Sequence, residues 1–164
     1  MSETVELVIT RTFNAPRELV FEMFTHSEHL KHWWGPTGWT LEVIQLDARP
    51  GGCFHFRMRA DENVMWSKFI YREISTPEKL VYVSSFCDEE GNITRAPFIQ
   101  TLPLEILNTF TFEEQNGNTM LTLRTMPLSA TEEELETFKS MHDGMQQGFG
   151  ATFDQLEQYM AAKE

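Results

Sequence analysis

Residues 131–161 constrain this chain most. Phe138, Met141, His142, Met145, Phe149, Phe153, Leu156 and Met160 recur every three or four positions, so one apolar stripe runs along a helix. Thr131 and Glu134 form a capping box that starts it. Unbroken, the helix would run about 46 Å. A stripe of that length needs an equally long apolar surface to bury against. Gly144, Gly148 and Gly150 interrupt it, each costing roughly 1 kcal/mol against Ala. Two readings stand: the glycines mark a kink or two abutting helices, or a bulky ring needs room against the helix backbone.

The rest of the chain supplies strands. Val5, Leu7, Ile9, Arg11 and Phe13 share one parity, with Glu6, Thr10 and Thr12 on the other, the pattern of a half-buried strand. Pro16 opens a short helix carrying Leu19, Val20, Met23 and Phe24, and Ser27 caps a second short helix reaching about His32. The apolar phase of residues 39–46 slips between Val43 and Ile44, which predicts a bulge. Phe54, Phe56 and Met58 point one way, and His55, Arg57 and Arg59 the other. Further strands fall at 65–74, 79–87, 104–113 and 119–126, the last two joined at Asn116-Gly117, a strong hairpin signal. Residues 88–103, with Pro97 and Pro103, lack periodicity, and a connection of that length predicts a lid or binding loop. The sum is one α+β domain over residues 1–164: a curved seven-stranded antiparallel sheet wrapped on a long C-terminal helix, with two short helices after the first strand. A bent sheet cannot close perfectly on a straight helix, so a pocket is expected between them.

Composition narrows the partners. In 164 residues, 13 Lys and Arg face 25 Asp and Glu, a formal charge of −12, which argues against binding a nucleic-acid backbone or an anionic membrane. No apolar run reaches the roughly 18 residues of a membrane span, and no leader precedes the first strand. Cys53 and Cys87 lie far apart without a CxxC motif. A cytoplasmic protein with two free thiols, monomeric or homodimeric, is expected.

The residues also resemble a known family. Ile9-Thr10-Arg11-Thr12-Phe13-Asn14-Ala15-Pro16 with Val20, then Trp33-Trp34-Gly35-Pro36, Arg49-Pro50-Gly51-Gly52 and Arg72-Glu73-Ile74 with Pro77, Leu80 and Val81, are similar to stretches of the bacterial proteins related to the activator of heat-shock-protein-90 ATPase. So are Thr109-Phe110-Thr111-Phe112, Thr119-Met120-Leu121-Thr122-Leu123, and Gly148-Phe149 with Phe153, Leu156 and Tyr159, where Phe149 replaces a usual Trp. The resemblance covers about residues 5–161. It implies the helix-grip fold of the START-like, or SRPBCC, superfamily. Members of that superfamily bind hydrophobic molecules, act as co-chaperone domains or cyclise polyketides, so fold alone does not choose among them.

The expected occupant is a small hydrophobic molecule in a pocket lined by Trp39, Phe54, Phe56, Met58, Trp66, Phe69, Tyr71, Phe86, Phe110, Met141, Met145 and Phe149, most of which are also core. Its Met and Phe walls would accept varied apolar shapes. A stress-related, co-chaperone-like role with a chaperone partner is one alternative, although no second chaperone-binding domain is visible. A polyketide-cyclase-like enzyme is another. Tyr71, Tyr82, Ser84, Asn108, Arg124 and His142 are polar groups within reach of such a pocket, but they form no catalytic set. No cofactor is expected. His26, His29 and His32 share a spacing of three but lack the Glu of a zinc motif, so exposed polar histidines are expected rather than a metal site. Arg11 lies on the apolar parity of its strand. A charge there must be paired or must snorkel, and a structural pair is expected ahead of a grip on a carboxylate-bearing ligand. Glu73 poses the same question in a strand of ambiguous parity.

Overall fold

The protein is described by a computed structural model covering residues 5–35, 38–96 and 99–163. Pro36 and Pro97 of the segments quoted above lie outside the described residues, as does the N-terminus through Thr4. The order is β1 (Leu7–Phe13), α1 (Arg17–Thr25), α2 (Ser27–Trp33), β2 (Thr40–Leu46), β3 (Cys53–Ala60), β4 (Asn63–Ser75), β5 (Lys79–Phe86), β6 (Glu105–Gln115), β7 (Asn118–Leu128), α3 (Glu132–Ser140) and α4 (His142–Lys163). The strands form one curved antiparallel sheet in the order β1-β7-β6-β5-β4-β3-β2. Asn116 and Gly117 both take positive φ, 55° and 86°, as a tight hairpin turn requires.

Both irregularities in strand phase are real bulges. β2 and β3 slip register between Val43 and Gln45, which leaves Ile44 half exposed. β4 and β5 slip between Tyr71 and Glu73, and this is why the parity of Glu73 is ambiguous in the sequence. Its carboxylate accepts from the Ser75 hydroxyl at 3.0 Å and pairs with Lys79 at 3.5 Å.

The inward sheet face carries Phe13, Phe54, Phe56, Phe110, Phe112, Leu121 and Leu123, all fully buried with Phe153 and Leu156 of α4. Phe24 of α1 packs on Phe110 and Phe112 at 5.1 and 5.3 Å. Phe153 meets Phe13 edge-on at 5.8 Å and ties α4 to β1. Full burial of such rings is worth about 1.5–3 kcal/mol each, so this layer fixes α4 across the sheet.

The terminal helix is divided, though not at its glycines. The break falls at Met141, where φ is −96° and ψ is 0°, and α4 then runs unbroken through Gly144, Gly148 and Gly150. No ring needs the space beside them: a Cβ at any of the three would meet nothing within 4 Å. Helical hydrogen bonding and the burial of Phe153, Leu156 and Met160 outweigh the propensity cost. The capping box is present, with the Glu134 N–H donating to Thr131 Oγ1 at 3.1 Å and the Thr131 N–H donating to Glu134 Oε1 at 2.9 Å. The N-cap position of α2 is His26, one residue before Ser27, and its side chain makes no cap bond. No helix among the described residues is long and apolar enough to cross a membrane.

Candidate functional site

The end of α2 builds the site. The Trp33 ring is buried, donates from Nε1 to the Met23 carbonyl at 3.0 Å and packs on Phe24 at 4.8 Å. From α4, Gln155 Nε2 donates to the carbonyls of Trp33 at 3.0 Å and Gly35 at 2.8 Å, and Thr152 Oγ1 donates to Gly35 at 3.2 Å. These bonds hold the Trp33–Gly35 backbone against the helix. They leave Trp34 between helix and sheet, in edge contact with Phe69 at 5.6 Å and Phe149 at 6.5 Å.

Two hollows flank Trp34. One, about 240 Å³, lies under α4 and is walled by Trp34, Gly35, Met58, Met145, Gly148, Phe149 and Thr152. The other, about 170 Å³, lies over β3–β5 and is walled by Trp34, Phe56, Met58, Ser67, Phe69, Ser84, Ser85 and Phe86, with Leu102, Pro103 and Ile106 beyond. Trp34 and Met58 belong to both. No charged side chain lines either hollow among the described residues.

Six of the twelve pocket residues expected from sequence line these hollows: Phe56, Met58, Phe69, Phe86, Met145 and Phe149. Phe54, Tyr71 and Phe110 lie in the solid core. Trp39 packs half-buried against that core and Met141 sits at the break between α3 and α4, both outside the lining. Trp66 is on the opposite sheet face. Its register partner is Arg57, whose guanidinium lies 5.5 Å from the indole, and His55 is 5.5 Å away. Trp34 was not among the expected pocket residues, although it stands in the most distinctive motif of the chain.

The loop between β5 and β6 forms part of the second wall. Arg95 donates to the Leu102 carbonyl at 3.3 Å and pairs with Glu134 Oε2, the oxygen left free by the capping box. Thr137 of α3 donates to the Thr101 hydroxyl at 2.8 Å. Leu102 and Pro103 are thereby held over the second hollow.

The other candidate residues take structural partners. Arg11 bonds Asp154 at 2.6 Å, Glu157 at 2.9 Å and the Gly150 carbonyl at 3.3 Å. Burial opposes its charge, but the two carboxylates outweigh that and hold the guanidinium ionised. His29 is not exposed as expected; it is buried, with Nδ1 2.7 Å from the Tyr159 hydroxyl and Nε2 3.1 Å from Glu22. His26 and His32 are exposed, and no group of three or more metal-binding side chains occurs among the described residues. His142 Nε2 lies 3.0 Å from the Val5 carbonyl, Arg124 pairs with Glu6, and Asn108 donates to the Ser84 hydroxyl at 3.0 Å. Burial pushes the Tyr71 and Tyr82 hydroxyls well above their ordinary values and the Cys87 thiol up to about 11. Groups shifted this way hold their protons, and none is poised to attack or to exchange a proton near neutrality.

Comparison with known proteins agrees with this fold. The profile of the family described as "Activator of Hsp90 ATPase homolog 1-like protein" matches residues 14–161. The chain belongs to that family. Solved structures similar to this member of the activator of Hsp90 ATPase homolog 1-like family include a Staphylococcus epidermidis protein, at 24% identity and TM-score 0.82, covering 100% of this chain and 94% of that one. A Mycobacterium smegmatis protein matches at 26% identity and TM-score 0.77, covering 94% and 89%. A Silicibacter pomeroyi protein named AHSA1 matches at 18% identity and TM-score 0.71, covering 97% and 99%. At these identities the likeness is one of fold. No curated protein matches.

Proposed function

We propose that the protein binds a small hydrophobic molecule between the sheet and α4 and performs no covalent step on it. The observation that carries this reading is the uncharged double hollow around Trp34, open beside Gly148, where α4 presents bare backbone. Burying apolar ligand surface there contributes about 25 cal/mol per Å² before ordering costs. The unbranched thioethers of Met58 and Met145 re-pack around different shapes. The loop pinned by Arg95 controls access to the second hollow.

The test uses 1-aminoanthracene, a neutral fluorescent ring system whose size suits the larger hollow. Saturable binding in the range of roughly 1–100 μM is expected, about 5.5–8 kcal/mol. Gly148 walls the larger hollow and nothing lies within 4 Å of a Cβ built on it, so Gly148→Leu starts its side chain in open space at that hollow. It should abolish binding in a protein that still folds. Undiminished binding by that variant, or none by the parent protein, defeats the proposal.

A further inference from the structure

We propose that the two hollows serve as one site for an elongated, uncharged amphiphile, such as a medium-chain alcohol, with its chain under α4 and its hydroxyl against Ser67. This deepens the ligand-binding reading above and rests on it. Neither hollow, at about 240 and 170 Å³, reaches the roughly 300–1,000 Å³ usual for a ligand site, whereas the two joined do. Only Trp34 and Met58 are common to both walls. Trp34 is fixed by Phe69 and Phe149 and by the backbone bonds on either side of it. Met58 packs its sulfur beside Gly35 but is an unbranched thioether with three rotatable bonds, so its rotation is the step that joins the chambers.

Charge and hydrogen bonding select the head group. The cation on the inward phase of β1, Arg11, is already saturated by Asp154, Glu157 and the Gly150 carbonyl. Arg57 lies on the outer face with Trp66, and Arg95, on the loop at the second hollow, is already paired with Glu134. A carboxylate inside would therefore be buried without a counter-ion, in a chain of formal charge −12. A neutral hydroxyl meets a different environment. Ser67 is only 9% exposed and lines the second hollow, and its hydroxyl bonds to no other described residue. Ser84, beside it, already accepts from Asn108.

The experiment titrates the full chain, labelled with 13C at its Met methyls, with straight-chain alcohols from 1-hexanol to 1-decanol and with decanoate, at a pH where the acid is ionised. Affinity should rise about fourfold per added CH2 through the series, the value of one buried methylene. 1-Decanol should move the Met58 and Met145 methyl resonances together. Decanoate should bind at least tenfold more weakly than 1-decanol, and Ser67→Ala should lower 1-decanol affinity about tenfold. An affinity plateau at short chains with Met58 unmoved overturns the joined site. Equal binding of decanoate overturns the neutral head group. Either result leaves 1-aminoanthracene binding, and so the parent reading, intact. Failure of 1-aminoanthracene and the alcohols alike removes both.

Discussion

Gly35 sits at φ +108°, and a Cβ there would come within 2.8 Å of the Met58 sulfur. Both facts demand glycine: the backbone lies where L residues are strained, and the thioether takes the space. Gly35→Ala should cost about 1–3 kcal/mol in urea unfolding. In a Met58→Ala background, Gly35→Ala should cost only the backbone part, so the double-mutant cycle tells the two apart. The thiols give a second residue-level expectation. Cys87 is buried and pushed up to about 11, whereas Cys53 is half-buried and raised less. A thiol reagent near neutrality should label Cys53 first and reach Cys87 only on unfolding, as peptide mass mapping would report. At this scale the sequence is legible where pairing is local. Trp66 and Phe69 are three apart in one strand and so face opposite ways, a parity that alone excludes Trp66 from a pocket containing Phe69. The parity of Arg11 announces that it needs a partner, but the partners themselves, Asp154 and Glu157, like the Tyr159 that meets His29, lie more than 120 residues away, and no local pattern names them.

Glu134 joins two elements through one carboxylate, capping α3 with one oxygen and holding the β5–β6 loop through Arg95 with the other. Its carboxyl lies below its ordinary 4.5, because of the Arg95 bond first and the Thr131 amide next. A depressed folded value means the stabilisation is complete above about 4.5 and is lost as pH falls through the lower folded value. Protection of loop amides such as that of Leu102, which donates to the Ile99 carbonyl at 3.4 Å, should therefore hold near neutrality and fall on acidification below about pH 4.5. Glu134→Gln should show weak protection throughout, with no such step. If acid leaves these amides protected, the clamp is not what holds the loop. Strand positions could be read from the sequence because period-two alternation survives everywhere except at the two bulges. The place where the terminal helix divides could not. Glycine propensity pointed to residues 144–150, while the break is set at Met141, where the Met141 N–H turns back to the Phe138 carbonyl and the helix redirects. The lining of the second hollow was hidden for a related reason: Leu102 and Pro103 lie in a segment without periodicity, and only the α3 contacts bring them over the sheet.

For the whole molecule, the hollow under α4 is a balance between closing the core and keeping room in it. Phe153 and Leu156 are themselves fully buried, whereas a Cβ at Gly144, Gly148 or Gly150 would meet no neighbour within 4 Å. Natural proteins give up stability at functional sites in this way. Gly148→Leu should therefore do two opposite things. It should raise the melting temperature of the empty protein, since it removes a helical glycine and fills apolar space, together worth about 1–3 kcal/mol or roughly 2–10 °C at this chain length. It should also abolish the stabilisation a ligand brings. With 1-aminoanthracene at about 100 times its dissociation constant, the parent protein should gain about 2.7 kcal/mol, roughly 5–10 °C, by mass action, and the variant should gain nothing. Differential scanning calorimetry of both proteins, with and without the probe, reads all four states. A variant that melts lower and still responds to the probe would mean that the bare face of α4 is a packing fault rather than a reserved cavity.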